Sequence, residues 1–158
     1  MEQWIREEML LGADAMARLA ESHVAVFGIG GVGSFCVEAL ARGGVGELTL
    51  VDHDAVSLSN LNRQLCALHS TLGQGKAAVM ARRIAEINPA CRVHVLEKLY
   101  CEQEKAAFFG SQYDYIVDCI DMVSSKLSLI QEAMARGIPI LSAMGTGNKL
   151  DPTKFVIT

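Results

Sequence analysis

Residues 28–33 read Gly-Ile-Gly-Gly-Val-Gly, set between a nearly all-apolar run, His23-Val24-Ala25-Val26-Phe27, and a helically patterned segment, Ser34–Arg42. A short apolar run of this kind suits a strand buried on both faces of a parallel sheet. In that setting the glycines have a mechanical meaning. They permit a tight turn, let a phosphate approach the backbone and bring helix and strand together. The following helix then offers its first amide hydrogens to an anion. Asp52 stands 19 residues after Gly33, at the end of a second apolar run, Leu48–Val51. A carboxylate in that place accepts hydrogen bonds from ribose hydroxyls. Gly28, Gly30, Gly31, Gly33 and Asp52 therefore form the candidate nucleotide cradle, which by itself does not choose between NAD, FAD and ATP.

The rest of the chain repeats the alternation. Apolar Ile5, Met9, Leu10, Ala13, Met16, Ala17 and Ala20 recur at helical spacing and predict one helix over 5–20. Gly43-Gly44 closes the helix after the glycine loop, and Ser57–Gly75 is polar and irregular. Lys76–Ile87 reads as a helix stopped by Asn88-Pro89. Arg92–Leu96, Tyr115–Cys119 and Ile138–Leu141 read as strands, Glu102–Phe109 and Ser124–Arg136 as helices. This order predicts an α/β, Rossmann-like, doubly wound and mainly parallel sheet with helices on both faces. The expected organisation is one domain over 1–158, with an N-terminal helix at 5–20 and a core at 22–150. Lys149-Leu150-Asp151-Pro152 reads as a turn and Phe155-Val156-Ile157 as the start of another strand. A chain ending at Thr158 is thus expected to lack a further C-terminal part.

Composition narrows the class. At 51% hydrophobic and 20% charged residues, 158 residues can bury a core. A net charge of −4 opposes a general nucleic-acid coat but leaves room for a local basic cleft. No apolar run approaches the ~20 residues of a membrane helix, and the N-terminus lacks the basic-then-apolar pattern of a signal peptide. The five cysteines are odd in number, scattered and never spaced as CxxC, which points to a reduced, cytoplasmic protein without a disulfide framework.

Basic charge bears on the choice of nucleotide. The polar stretch contains Ser59-Asn60-Leu61-Asn62-Arg63-Gln64, and Lys76 follows thirteen residues after Arg63. A triphosphate gains more than a dinucleotide pyrophosphate from fixed cations. Arg63 offers a fork for two phosphate oxygens, Lys76 a point charge and Asn60 an amide donor. Read singly, Arg63 and Lys76 are also ordinary surface charges, with Lys76 outside the core. Asp121 follows the fourth strand and so projects to the same crevice; it suits either a Mg²⁺ ligand beside a triphosphate or a cap of the next helix. Among the cysteines, Cys36 lies in the first turns of a helix, where the dipole favours a thiolate but the spacing also suits inert helix–sheet packing; Cys119 in its apolar strand reads as core, Cys66 is expected to be the most accessible, and none is assigned a catalytic role.

Taken together, GIGGVG, Asp52, Ser59–Gln64, Lys76, Asn88-Pro89 and Asp118-Cys119-Ile120-Asp121 resemble the ThiF/MoeB/HesA family, which also provides the adenylation core of ubiquitin-activating enzymes. Order and spacing agree from about residue 5 to 150. Glu8–Gly12 and Gly145–Pro152 are similar to the branch that cyclises threonylcarbamoyladenosine on tRNA. The resemblance implies ATP-dependent adenylation of a carboxylate with release of pyrophosphate. It implies that Asp52 holds ribose, that Asn60, Arg63 and Lys76 serve the phosphates, and that Asp121 engages ATP through Mg²⁺. It also implies a homodimer in which Arg6 reaches the neighbour's site, although Gln3 stands where the family's RxxR pattern has its first arginine. The implied partner is tRNA, or for the ThiF/MoeB branch a sulfur-carrier protein. A non-catalytic nucleotide-binding dimeric module and an NAD-dependent oxidoreductase are the competing readings; the latter leaves Arg63, Lys76 and Asp121 without a shared role.

Overall fold

The structure is a computed structural model that describes residues 2–145, 147 and 150–158. A five-stranded sheet carries the fold, built from β1 (His23–Phe27), β2 (Glu47–Val51), β3 (Arg92–Leu96), β4 (Tyr115–Asp118) and β5 (Ile140–Ser142). Its order is β3-β2-β1-β4-β5, and all four pairings are parallel. Helices α3 (Gly33–Arg42) and α4 (Lys76–Ile87) cover one face, and α5 (Val123–Ala135) with a 3-10 segment, Glu102–Phe108, covers the other.

Period-two alternation explains the two cores. Val24, Val26, Leu48 and Leu50 meet Val37 and Ala41 of α3 and Met80 and Ile84 of α4. Ala25, Phe27, Val51 and Ile116 meet Phe108 and the α5 residues Leu129 and Ala133. β1 is buried along its whole length, as its apolar run requires. The expected doubly wound architecture is therefore present.

Three local expectations are corrected. The predicted helix 5–20 is two helices, α1 (Ile5–Leu11) and α2 (Ala13–Glu21), because Gly12 between them has φ 82° and ψ 158°. Phe155–Ile157 forms no strand; a short 3-10 turn, Pro152–Lys154, precedes it and all three side chains are exposed. Of the turn read at Lys149–Pro152, Lys149 lies outside the described residues. The polar stretch 57–75 is organised by two 3-10 turns, Leu58–Asn60 and His69–Thr71.

A buried ion pair joins β4, α5 and β5. Lys126 Nζ donates to Asp118 Oδ2 at 2.7 Å, to Ser142 Oγ at 3.1 Å and to the Ala143 carbonyl at 2.9 Å. Ser142 Oγ donates to the same Asp118 oxygen at 2.6 Å, and the Ile120 amide to Asp118 Oδ1 at 3.0 Å. The Asp118 side chain is fully buried. Removing one member of such a pair leaves an uncompensated charge in the core. Lys126→Met is expected to cost ~3–5 kcal/mol in urea denaturation. The double variant Lys126→Met/Asp118→Asn should recover part of that loss.

Candidate nucleotide-binding site

The strand order reverses at β1, which pairs β2 on one side and β4 on the other. Open α/β sheets bind ligands at that point, beyond the carboxyl ends of the strands. A cleft of about 710 Å³ lies there, within the range of small-molecule and cofactor sites. Its walls come from the ends of β1 and β2, from the Cys119–Met122 segment after β4, and from the polar stretch.

The glycine loop is held from both sides. Gly28 has φ 88°, and a Cβ there would meet the Cys119 carbonyl oxygen at 2.7 Å; a Cβ on Gly33 would lie 1.8 Å from the Gly28 carbonyl oxygen. These two glycines are required by the protein's own packing. Gly30 and Gly31 differ, since a Cβ on either would come no nearer than 3.7 Å to a neighbour. Both line the cleft, so the space that a side chain would fill lies on the ligand's side.

Asp52 closes the loop onto β2. Its Oδ2 accepts the Ile29 amide at 2.6 Å and its Oδ1 the Asp54 amide at 2.8 Å, with the residue 9% exposed. Ser34 Oγ donates to the Gly30 carbonyl at 2.6 Å and accepts the Leu65 amide at 3.1 Å, which docks the polar stretch on the loop. No side chain caps α3, whose N-terminus follows the loop directly.

Gly28, Gly30, Gly31, Asp52, Arg63, Lys76 and Asp121 all line this one cleft. They come from five separate stretches of sequence. Arg63 is exposed, and among the described residues its guanidinium donates only to neutral acceptors, the Ser59 carbonyl at 2.9 Å and Asn62 Oδ1 at 3.1 Å. Lys76 is 6% exposed, contrary to the expectation of a residue outside the core, and its Nζ donates to Asp54 Oδ2 at 2.7 Å. Asp121 is exposed and does not cap α5, whose N-cap is Met122. Gly33, Asn60 and Arg6 are not among the described lining residues. Asn60 Oδ1 accepts the Ser57 amide at 3.0 Å, closing a 3-10 turn, and Arg6 is exposed on α1.

Several lining residues were not singled out in the sequence: Asp54, Gln64, Lys98 and Tyr100. Lys98 had a legible signal, a cation just past the end of β3. Gln64 closes the segment that carries the resemblance but was given no role there, since only the fold of the polar stretch buries it. One of the cysteines, Cys66, differs from expectation. Cys66 is 1% exposed, and burial pushes both it and Cys36 above the usual thiol range. Cys119 is pushed up to about 12 by burial. These three thiols are poor nucleophiles at neutral pH.

A glycine loop at the switch point of a parallel sheet, flanked by cations and a carboxylate, is the arrangement of the nucleotide-binding class of α/β proteins. The chain matches the ThiF family over residues 5–157 and belongs to it. It is 48% identical over 157 residues to the tRNA threonylcarbamoyladenosine dehydratase of Bacillus subtilis (strain 168), covering 99% of this chain and 62% of that protein. The crystal structure of the E. coli tRNA N6-threonylcarbamoyladenosine dehydratase, TcdA, in complex with ATP superposes with a TM-score of 0.94. There the identity is 41%, over 96% of this chain and 63% of that one. The molybdopterin-synthase adenylyltransferase of Escherichia coli (strain K12) is 35% identical over 144 residues, 90% of this chain and 57% of that protein. The chain thus spans about three fifths of the length of these relatives. No helix among the described residues is long and apolar enough to cross a membrane.

The Lys76–Asp54 pair carries a pH signature. The hydrogen bond from Lys76 holds the Asp54 carboxyl below its usual range. A depressed folded-state value adds stability above the unfolded pKa, near 4, and that stability is lost as pH falls through the folded value. Asp54→Asn is therefore expected to be less stable than the wild type at pH 7. The gap should narrow as pH falls below about 4, as read by chemical denaturation.

Proposed function

We propose that the chain binds ATP with Mg²⁺ in this cleft and adenylates a carboxylate, the one borne by threonylcarbamoyladenosine in tRNA, as the nucleotide-binding domain of a cyclising dehydratase. The observation that carries the proposal is the convergence of Arg63, Lys76 and Asp121 on the glycine loop and Asp52. A dinucleotide pyrophosphate leaves these charges without a common task, whereas a triphosphate uses all of them. The similarity to a dehydratase solved with ATP supports the nucleotide, and the 48% identity to a named dehydratase supports the acceptor.

In this reading the loop amides and the uncapped start of α3 hold phosphate oxygens. Asp52 accepts from ribose while keeping the loop in place. A carboxylate oxygen of the substrate bonds to the α-phosphorus, and the bond from that phosphorus to the pyrophosphate oxygen breaks. Arg63 and Lys76 stabilise the charge that develops on the leaving pyrophosphate. An internal nucleophile of the activated group then displaces AMP and closes the ring, so the oxygen lost from the carboxylate leaves with AMP. Mg²⁺, which Asp121 would hold, supplies further neutralisation of phosphate charge when bound. The expected setting is cytoplasmic, and the expected assembly a homodimer with Arg6 acting across it. The similarity to the molybdopterin-synthase adenylyltransferase favours a second reading, activation of a sulfur-carrier protein.

ATP with Mg²⁺ is expected to raise the thermal midpoint of the chain and NAD to leave it unchanged; protection by NAD alone would overturn the proposal. Arg63 is the cleanest catalytic probe, because Lys76→Ala would also strand Asp54. Arg63→Ala should lower ATP–pyrophosphate exchange with threonylcarbamoyladenosine-bearing tRNA by roughly 10²–10³-fold. ATP affinity should fall much less, and exchange at the wild-type rate would remove Arg63 from the chemistry.

A further inference from the structure

We propose that His23, Glu47 and His94 form a binding site for one divalent transition-metal ion of the zinc class, at the end of the sheet opposite the nucleotide cleft. The parallel register sets His23 beside Glu47 and Glu47 beside Arg92. The pleat then brings His94, two residues on, to the same face. One nitrogen from each histidine and one carboxylate oxygen of Glu47 lie within 4.8 Å of one another. Glu47 Oε1 is 2.7 Å from His94 Nε2 and 3.8 Å from His23 Nδ1. Ligand bonds of ~2.0–2.2 Å in a tetrahedral zinc site put ligand atoms ~3.3 Å apart, a separation these two distances bracket.

Groups behind two of the three ligands fix their orientation toward the others. His23 Nε2 lies 2.8 Å from the hydroxyl of Thr49, which is 2% exposed, so the ring is fixed with Nδ1 toward Glu47. Metal-binding histidines are held in this way through their second nitrogen. The Arg92 guanidinium binds Glu47 Oε2 and leaves Oε1 between the two imidazoles. Arg92 alone would satisfy the carboxylate as an ion pair; it does not account for two imidazoles meeting on the other oxygen. Two imidazoles and a carboxylate suit zinc and its neighbours better than Mg²⁺ or Ca²⁺. Burial is graded, with the His23 side chain 9%, Glu47 19% and His94 50% exposed. An ion therefore has an entry path on the His94 side, where water completes the coordination. Glu47 and Asp52 lie at opposite ends of β2, about 16 Å apart along an extended chain. The site is thus separate from the cleft, where the second carboxylate–histidine group, Asp52-His53-Asp54, lies. Its ligands come from β1, β2 and the edge strand β3, so binding couples the start of the chain's sheet to its edge.

Chelator-stripped protein titrated with Zn²⁺ in a calorimeter is expected to take up one ion per chain and to melt at a higher temperature. Co²⁺ as a visible probe should give a nitrogen–oxygen spectrum without a thiolate charge-transfer band. His94→Ala removes an exposed side chain from an edge strand, so its metal-free melt should match the wild type. Its affinity should fall by more than the ~10-fold that losing a supporting group costs, and the melting gain should vanish. Thr49→Val should lower affinity ~10–100-fold, whereas His53→Ala should bind as the wild type does. The proposal is overturned by absence of binding to the wild type, by wild-type affinity in His94→Ala, by loss of binding in His53→Ala, or by a thiolate band with cobalt.

Discussion

The cleft rests on one carboxylate. Asp52 accepts the Ile29 amide with one oxygen and the Asp54 amide with the other. The first bond ties the glycine loop to the end of β2, and the second sets the turn that carries Asp54 to Lys76. Bonds from amides to a charged acceptor are roughly twice as strong as neutral ones. Each oxygen retains a lone pair beyond the amide it accepts, so ribose recognition and loop anchoring do not compete. The same group that would hold the sugar thus fixes the distance from sugar to phosphate cradle before any ligand arrives, which lowers the ordering cost of binding.

Much of the fold was legible because β1, β2, α3 and α4 each show an unbroken pattern with a clear stop. The helix Lys76–Ile87 and the strand Arg92–Leu96 were read with the bounds the structure gives. The errors share a physical cause. Apolar spacing continues through Gly12, but the backbone there takes a left-handed φ and the helix divides, and a lone glycine inside a helical pattern was the available warning. Phe155–Ile157 has strand propensity, yet a strand needs a partner for its amides, and propensity cannot supply one.

For the candidate site, the sequence made legible which residues meet at one cleft, Asp52, Arg63, Lys76 and Asp121 among them, but not what supports them. Asp52 carries the chemistry of a ribose acceptor and Arg63 and Lys76 that of phosphate donors, so their types and spacing pointed to a nucleotide. Cys66 was read as accessible because it sits in a polar stretch. It is buried because Ser34 and Thr71 fold that stretch over the loop, through contacts of which Leu65 to Ser34 spans 31 residues. Lys126 went unnoticed for a different reason. It shares a helical stripe with Leu129 and Ala133, where a lysine either reaches back to water or, as here, is buried and must be paired.

Lys76 and Lys126 show how donor accounting separates a structural lysine from one left for a ligand. Both lie in the first turn of a helix, where the dipole disfavours a cation, and both are buried. Each is offset by an aspartate at or just beyond the carboxyl end of a strand, Asp54 after β2 and Asp118 in β4. An ammonium has three donors. Lys126 gives all three to protein acceptors, the Asp118 carboxylate, the Ser142 hydroxyl and the Ala143 carbonyl. Lys76 has one side-chain partner among the described residues, and that partner is itself half exposed on the wall of the cleft. Its other two donors meet no protein acceptor among the described residues, on a cation already positioned and buried. The proposed phosphate contact needs that arrangement, because a charge fixed before the reaction stabilises the leaving pyrophosphate without paying for its own reorganisation. Both lysines stand in the first turn of a helix that follows a strand-end aspartate, and the count of filled donors shows which one is spent on the fold.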